Sequence, residues 1–180
     1  MRVIAGVARG QPLIAPRDRG TRPITDRVKE ALFAILGDRV PDARVLDLYA
    51  GSGAIGIEAL SRGAAGATFV ERARPALVAL RANLERTRLA DLADVEPIDV
   101  ERFLAAPDRG PWDLVFLDPP YEVRDIVAPL RAVVPQVAPG AMVVIKHFWR
   151  TDVPEVAGLQ PVRQRRFGET MLSFLEAAGR

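Results

Sequence analysis

The stretch Leu114-Val115-Phe116-Leu117-Asp118-Pro119-Pro120-Tyr121 carries the sharpest chemistry in this 180-residue chain. An apolar run of strand type delivers a carboxylate, two prolines and an aromatic ring at its C-terminal end, where open α/β sheets bind ligands. The prolines stiffen the turn and leave the Pro119 carbonyl without a competing amide. Asp118 and that carbonyl suit the two N–H bonds of a planar exocyclic amine. Accepting both turns the nitrogen lone pair toward an electrophile, and Tyr121 is placed to stack on the ring that bears the amine. This is catalysis by orientation and charge placement, with no covalent intermediate. The chain has no cysteine and a single histidine. Thiolate nucleophiles, disulfides and iron–sulfur clusters are therefore excluded, and a zinc site is nearly so.

A second cluster runs Val45-Leu46-Asp47-Leu48-Tyr49-Ala50-Gly51-Ser52-Gly53-Ala54-Ile55-Gly56. It reads as a strand, a glycine turn and the start of a helix. Gly51 and Gly53 remove side chains where a cofactor approaches the backbone, and Gly56 lets the helix pack close to the strand. Glu71 ends the next strand and is placed to accept from ribose hydroxyls. That spacing also fits a dinucleotide site, so a nicotinamide oxidoreductase is one alternative. Asp47 leans the other way, because a carboxylate there attracts an ammonium group and repels a pyrophosphate. S-adenosyl-L-methionine has an ammonium, a sulfonium and a ribose diol but no phosphate, and Asp47 and Glu71 match that inventory. The lining set extends over Tyr49, Ala50, Gly51, Ser52 and Gly53. Asp99, with the Val100 amide, is placed to read an adenine amino group, and Asp99 also reads as a helix N-cap.

Strands alternating with helices position these residues. Strands are expected over residues 45–49, 68–71, 95–98, 112–118 and 142–145. Helices are expected over 54–62, 75–88, 101–106 and 124–137. Such alternation gives a parallel sheet with right-handed crossovers. Residues 162–167 and 171–175, joined by Gly168-Glu169, read as an antiparallel hairpin. Ahead of the core, residues 1–16 read as a short hairpin. A helix begins near Thr25 or Asp26, with Val28, Ala31, Leu32, Ile35 and Leu36 as its buried stripe. One domain is expected over 1–180, with residues 1–38 an extension and 44–176 the core.

Only Lys29 and Lys146 are lysines among the 25 basic residues. Residues 1–29 hold seven basic side chains against Asp18 and Asp26, a net of +5 in a chain of net +2. A basic N-terminal arm is an electrostatic footprint for a polyanion, with Arg9, Arg22 and Arg27 as candidate phosphate clamps. Arg163, Arg165 and Arg166 make a second basic edge or a solvated hairpin face. His147, Phe33 and Trp149 read as core, rim or hydrogen-bonded residues. No apolar run reaches the length of a membrane span, and the N-terminus lacks the apolar core of a signal peptide, so a cytoplasmic protein is expected.

Asp47 with Gly51-Ser52-Gly53, Glu71 and Asp118-Pro119-Pro120-Tyr121 together resemble class I S-adenosylmethionine-dependent amino-methyltransferases. Three flanking stretches sharpen the resemblance to the bacterial 16S ribosomal RNA guanine-N2 methyltransferases. They are Met1 to Gly10, Thr21-Arg22-Pro23-Ile24-Thr25-Asp26-Arg27-Val28-Lys29-Glu30-Ala31-Leu32-Phe33, and Arg166-Phe167-Gly168-Glu169-Thr170 with Leu172-Ser173. The resemblance covers nearly the whole chain. It implies a Rossmann-like α/β fold with a seven-stranded, mostly parallel sheet, the last strands forming a reversed hairpin. It implies a guanine in 16S rRNA, within the 30S subunit or an assembly intermediate, as the target. It also implies that residues 21–33, Thr25 among them, cover the cofactor pocket. A monomer meets every requirement. The chain departs from the family's usual residues at Lys146, often acidic, and at Ala34, often asparagine; neither position is expected to touch the motifs. The motif chemistry alone equally fits adenine N6, cytosine N4 or a glutamine amide. A non-catalytic RNA-binding assembly factor fits the basic arm alone.

Overall fold

The computed structural model describes residues 1–16, 24–106, 109–119 and 126–179. The strands are β1 Arg44–Leu48, β2 Gly66–Val70, β3 Ala93–Glu96, β4 Trp112–Leu117, β5 Val137–Phe148, β6 Leu159–Phe167 and β7 Thr170–Ala177. They form one sheet in the order β3-β2-β1-β4-β5-β7-β6. The first five pair in parallel, and β7 runs antiparallel between β5 and β6. The helices are α1 Asp26–Leu36, α2 Ala54–Ser61, α3 Arg74–Thr87, α4 Val100–Leu104 and α5 Val127–Val133. The expected seven-stranded sheet with a reversed C-terminal hairpin is present.

Alternation along the strands sorts side chains onto two faces. Val45, Leu114, Phe116, Met142, Val144, Leu172 and Phe174 pack with the N-terminal segment, α1, α2 and α3. Leu46, Leu48, Val115, Leu117, Val143, Ile145 and Leu175 pack with α4 and α5. Asp47 shares the parity of Val45, and Asp118 and Lys146 share those of Phe116 and Val144. All three therefore belong to the α1 face.

The N-terminal segment holds few ladder bonds. Arg2 and Pro12 form an isolated antiparallel bridge, so the expected hairpin is a brief one. What fixes it is side-chain chemistry on α2. The Glu58 carboxylate accepts from the Ile4 and Ala5 amides at 2.8 and 3.0 Å. It also accepts from Arg62 at 2.9 Å and pairs with Lys29 at 3.1 Å, both Lys29 and Glu58 side chains being fully buried. Lys29 Nζ further donates to the Arg2 carbonyl. Ser61 Oγ accepts from the Ala8 amide and donates to the Ala5 carbonyl. The backbone lies so close that a Cβ on Gly6 would stand 1.6 Å from the Ser61 carbonyl oxygen.

This docking corrects two expectations. The buried face of α1 is Val28, Lys29, Leu32, Phe33 and Leu36. Ala31 and Ile35 sit only half-buried, because Glu58 draws Lys29 inward and rotates the helix. Lys29 therefore contributes nothing to an exposed basic arm, and Arg2 is paired with Asp26 at 3.2 Å. Element bounds shift by a few residues along the chain, most around Pro135. The helix expected over 124–137 ends at Val133 and closes in a 3-10 turn, Val134–Gln136, that contains Pro135. β5 starts at Val137, five residues early, and absorbs Pro139-Gly140 through a register shift against β4.

Removing one member of a buried ion pair leaves the other charge unpaired, at a typical cost of about 3–5 kcal/mol. Glu58→Leu strands the Lys29 ammonium together with the Ile4 and Ala5 amides, and is expected to lower unfolding free energy by that order in urea titration. Lys29→Met leaves Glu58 with Arg62 and both amides, and is expected to cost less.

Candidate active site

Asp47 lies near the C-terminal end of β1, beneath the glycine turn. Its carboxyl is buried, and its Oδ2 accepts from the Gly56 amide at 2.9 Å. Burial, reinforced by the negative charges of Asp118 and Glu71, pushes its pKa up to about 8; the Gly56 amide opposes the shift. An uncharged carboxyl at neutral pH, surrounded by acids, is an environment that a cation would relieve.

The turn itself is built from left-handed backbone. Tyr49, Gly51 and Gly53 have φ of 59°, 57° and 76°. Tyr49 is the unusual member, since a non-glycine residue there carries strain of the kind that clusters at ligand sites. The three glycines serve different ends. A Cβ on Gly51 would meet nothing within 4 Å, so that side of the turn is open. A Cβ on Gly53 would meet Leu80 at 2.3 Å, and one on Gly56 would meet Phe69 at 2.3 Å. Gly56 is thus the close-packing glycine the sequence indicated. Gly53 is also closely packed, set against Leu80 of α3.

Glu71 follows β2 and folds over the turn. Its Oε2 accepts from the Gly51 amide at 2.8 Å, and its Oε1 accepts from the Arg72 and Ala73 amides. Asp99 caps α4, accepting from the Glu101 amide, and pairs with Arg72 at 2.9 Å. The capping role is therefore filled, and Val100 is buried as the first residue of α4. The Tyr49 hydroxyl sits toward Asp99 and Glu101; burial first, then their negative charge, raises its pKa. Ser52 is buried and its carbonyl accepts from Asn83 Nδ2 at 2.9 Å, while Ala50 is half-exposed. Thr25 is exposed and caps α1 by accepting from the Val28 amide.

Asp118 stands one residue beyond β4 and Pro119 beside it; both are half-buried. Pro120, Tyr121 and Arg22 fall outside the described residues. Both Asp118 oxygens accept from Lys146 Nζ at 2.7 Å. Burial raises the Asp118 pKa, and Lys146 opposes that shift. The expectation that Lys146 stands clear of the motifs is therefore overturned. The register Leu117↔Ile145 sets the next pair, Asp118 and Lys146, side by side on one face.

Asn83 was not singled out from the sequence, yet it ties the site together. Fully buried on α3, it accepts from the Ile14 amide at 2.7 Å and donates to the carbonyls of Ile14 and Ser52. One carboxamide joins the N-terminal segment to the glycine turn. An asparagine within the apolar stripe of Leu80 and Leu84 is the signal that marks it. His147 is structural: Nδ1 donates to the Phe148 carbonyl and Nε2 accepts from Ser173 Oγ at 2.8 Å. Phe33 is core, whereas half-buried Trp149 lies beneath the Arg166 guanidinium at 3.7 Å. Arg9 and Arg27 are exposed. Among the described residues no cluster of candidate metal ligands occurs. No helix among them is long and apolar enough to cross a membrane.

A family model described as "Conserved hypothetical protein 95" matches residues 1–176. The chain belongs to that family. The membership agrees with the resemblance drawn from the motifs, including its reach over nearly the whole chain. A Bacillus subtilis relative, "Putative rRNA methyltransferase YlbH", is 36% identical over 184 residues, covering 99% of this chain and 100% of that protein. "Ribosomal RNA small subunit methyltransferase D" of Escherichia coli K12 is 47% identical over 122 residues, 67% of this chain and 60% of that protein. Among solved structures, "Putative methyltransferase yhhF from Escherichia coli" superposes with a TM-score of 0.88 at 35% identity, covering 100% of this chain and 99% of that one. An RNA methyltransferase from Salinibacter ruber in complex with S-adenosyl-L-homocysteine shares the fold at 21% identity and a TM-score of 0.68, covering 87% and 94%.

A carboxyl whose pKa is raised on folding stabilises fully below its unfolded value, near 4, and loses that contribution as pH rises through its folded value. The ligand-free protein is accordingly expected to lose this contribution to thermal stability between about pH 4 and pH 8 and to level off above it. Asp47→Asn is expected to flatten that slope, as read by calorimetry at matched ionic strength.

Proposed function

We propose that this protein transfers a methyl group from S-adenosyl-L-methionine to the exocyclic N2 amine of a guanine in 16S rRNA. The carrying observation is the placement of Asp47, Glu71 and Asp118 at the C-terminal ends of neighbouring strands around an open glycine turn. An acidic crevice suits a ligand with two cationic centres and a ribose diol, and repels a pyrophosphate. The reversed β7 between β5 and β6 also departs from the 3-2-1-4-5-6 order of dinucleotide-binding sheets. Both points weigh against a nicotinamide oxidoreductase.

In this reading Asp47 ionises beside the ammonium group of the cofactor, and Glu71 takes the ribose diol from its position over Gly51. Tyr49, Ala50, Ser52 and Gly53 shape the turn, Asp99 and Val100 face the adenine, and Thr25 closes the pocket from the start of α1. Bound S-adenosyl-L-methionine supplies a methyl group made electrophilic by its sulfonium. The target guanine leaves its stack at a cost of a few kcal/mol. Asp118 then accepts one amine N–H and the Pro119 carbonyl the other, so the nitrogen lone pair points at the methyl group. Pro120 stiffens the turn and Tyr121 stacks on the base. The surplus proton leaves to Asp118 or to water.

Arg9, Arg22 and Arg27 hold the RNA backbone through bidentate phosphate contacts. The substrate is the 30S subunit or an assembly intermediate, and the enzyme acts in the cytoplasm as a monomer. The names of the Bacillus subtilis and Escherichia coli relatives support an rRNA target. The choice of guanine N2 rests on the flanking motifs.

The test is transfer of labelled methyl to 30S subunits that lack the modification, followed by nucleoside analysis. N2-methylguanosine is the expected product. Transfer to DNA or protein alone would keep the chemistry and replace the substrate. Asp118→Ala is expected to retain cofactor binding and to lose at least about a hundredfold in turnover, the scale of removing one preorganised electrostatic contact. Near-normal turnover would remove its assigned role.

A further inference from the structure

The proposed reaction leaves Lys146 without a task, although its Nζ lies 2.7 Å from both oxygens of the carboxylate at the centre of that reaction. We propose that Lys146 is a positioning residue for Asp118, fixing the plane of the carboxylate and keeping it in the ionised, accepting state that orienting an amine requires. The inference rests on the role proposed for Asp118.

The geometry supplies the first part. One ammonium equidistant from two oxygens holds a carboxylate from one side, so neither oxygen can swing away without losing a charge-assisted bond. A carboxylate offers about four lone-pair directions. Lys146 takes one on each oxygen and leaves one on each, facing away from β5, for an incoming N–H. The Lys146 side chain is only 12% exposed, so the contact is little screened by water. Its backbone is pinned from both sides, paired with Leu172 on β7 and following the β4–β5 ladder.

Electrostatics supplies the second part. Among the described residues, burial is what drives Asp118 toward its protonated form, and Lys146 from β5 is the charged group that opposes it; Asp47 from β1 and Glu71 after β2 face the same crevice. Without Lys146, the burial of Asp118 would go unopposed by any cation, the condition that already drives Asp47 toward its neutral form. A buried carboxylate with no counter-charge takes up a proton. A protonated Asp118 would direct an O–H at the position where the amine must donate, and the amine would lose an acceptor. The alternative use of Lys146, a phosphate contact, would leave the ionisation of Asp118 untouched.

The experiment compares the wild-type chain with Lys146→Met and Lys146→Arg, with Lys146→Gln as a second neutral variant if the methionine form does not fold. The side-chain carboxyl carbon of Asp118, assigned by its disappearance in Asp118→Asn, is followed by NMR through a pH titration. Its midpoint is expected to rise by about one to three pH units in the neutral variants, the range for loss of an adjacent opposite charge, and to stay near wild type in Lys146→Arg. The acidic limb of kcat for methyl transfer to 30S subunits is expected to move with it, while KM for the subunits is unchanged. An unmoved midpoint overturns the proposal. So does a raised KM with an unshifted kcat profile, the signature of a phosphate contact. The titration is read on the protein alone. A moved midpoint in a protein that methylates no 30S subunit therefore upholds the pairing and removes the substrate.

Discussion

The buried contact between Lys29 and Glu58 is the constraint on which the N-terminal part of the molecule depends. A peptide segment with a single β-bridge has almost no ladder to hold it, and burying two charges is unfavourable unless every hydrogen-bonding direction is filled. Two amides and one carbonyl of the segment converge on the pair, and the Arg62 guanidinium joins them from the end of α2. Satisfying the charges and docking the chain are the same event. The consequence reaches the site, because the docked segment continues to Ile14, where Asn83 passes the constraint on to the carbonyl of Ser52 in the glycine turn.

The site inherits a second constraint from sheet geometry. Parallel strands end together, so side chains of like parity near the ends of β1 and β4 must face one crevice, with the residue after β2 folding over it. Three carboxylates in one place would be hard to maintain without counter-charges or backbone donors. Each has found a different one: the Gly56 amide for Asp47, the Gly51, Arg72 and Ala73 amides for Glu71, and an ammonium group for Asp118. Only the last is a side chain and a full counter-charge rather than backbone donors.

Much of this was legible in the chain. Short apolar runs separated by glycine turns and helical stripes specify a parallel sheet, and the strand-turn-helix context of Gly51 to Gly56 marks the ligand edge. What escaped was whatever depends on partners distant in sequence. A lysine at position 29 looks like part of a basic arm until Glu58 is set against it. Lys146 looks remote from Asp118, because 28 residues separate them and the strand register that joins them leaves no local trace. Residues 138–141 lie between the expected helix and strand, and Pro139-Gly140 disfavours a strand by propensity; pairing with β4 and a bulge outweighs that preference. The packing of Leu80 against Gly53 is set by α3, which the turn's own sequence does not reveal.

One border of the sheet is β6, whose residues from Gln160 to Arg166 are all exposed. Such a border offers unpaired amides and carbonyls to any extended chain, including another copy of itself. Arg163, Arg165 and Arg166 occupy it, with Pro161 interrupting the ladder near its start. Two copies meeting border to border would bring guanidinium groups against one another, at a place where a proline also denies a donor. The arginines thus guard the fold against sheet-to-sheet aggregation.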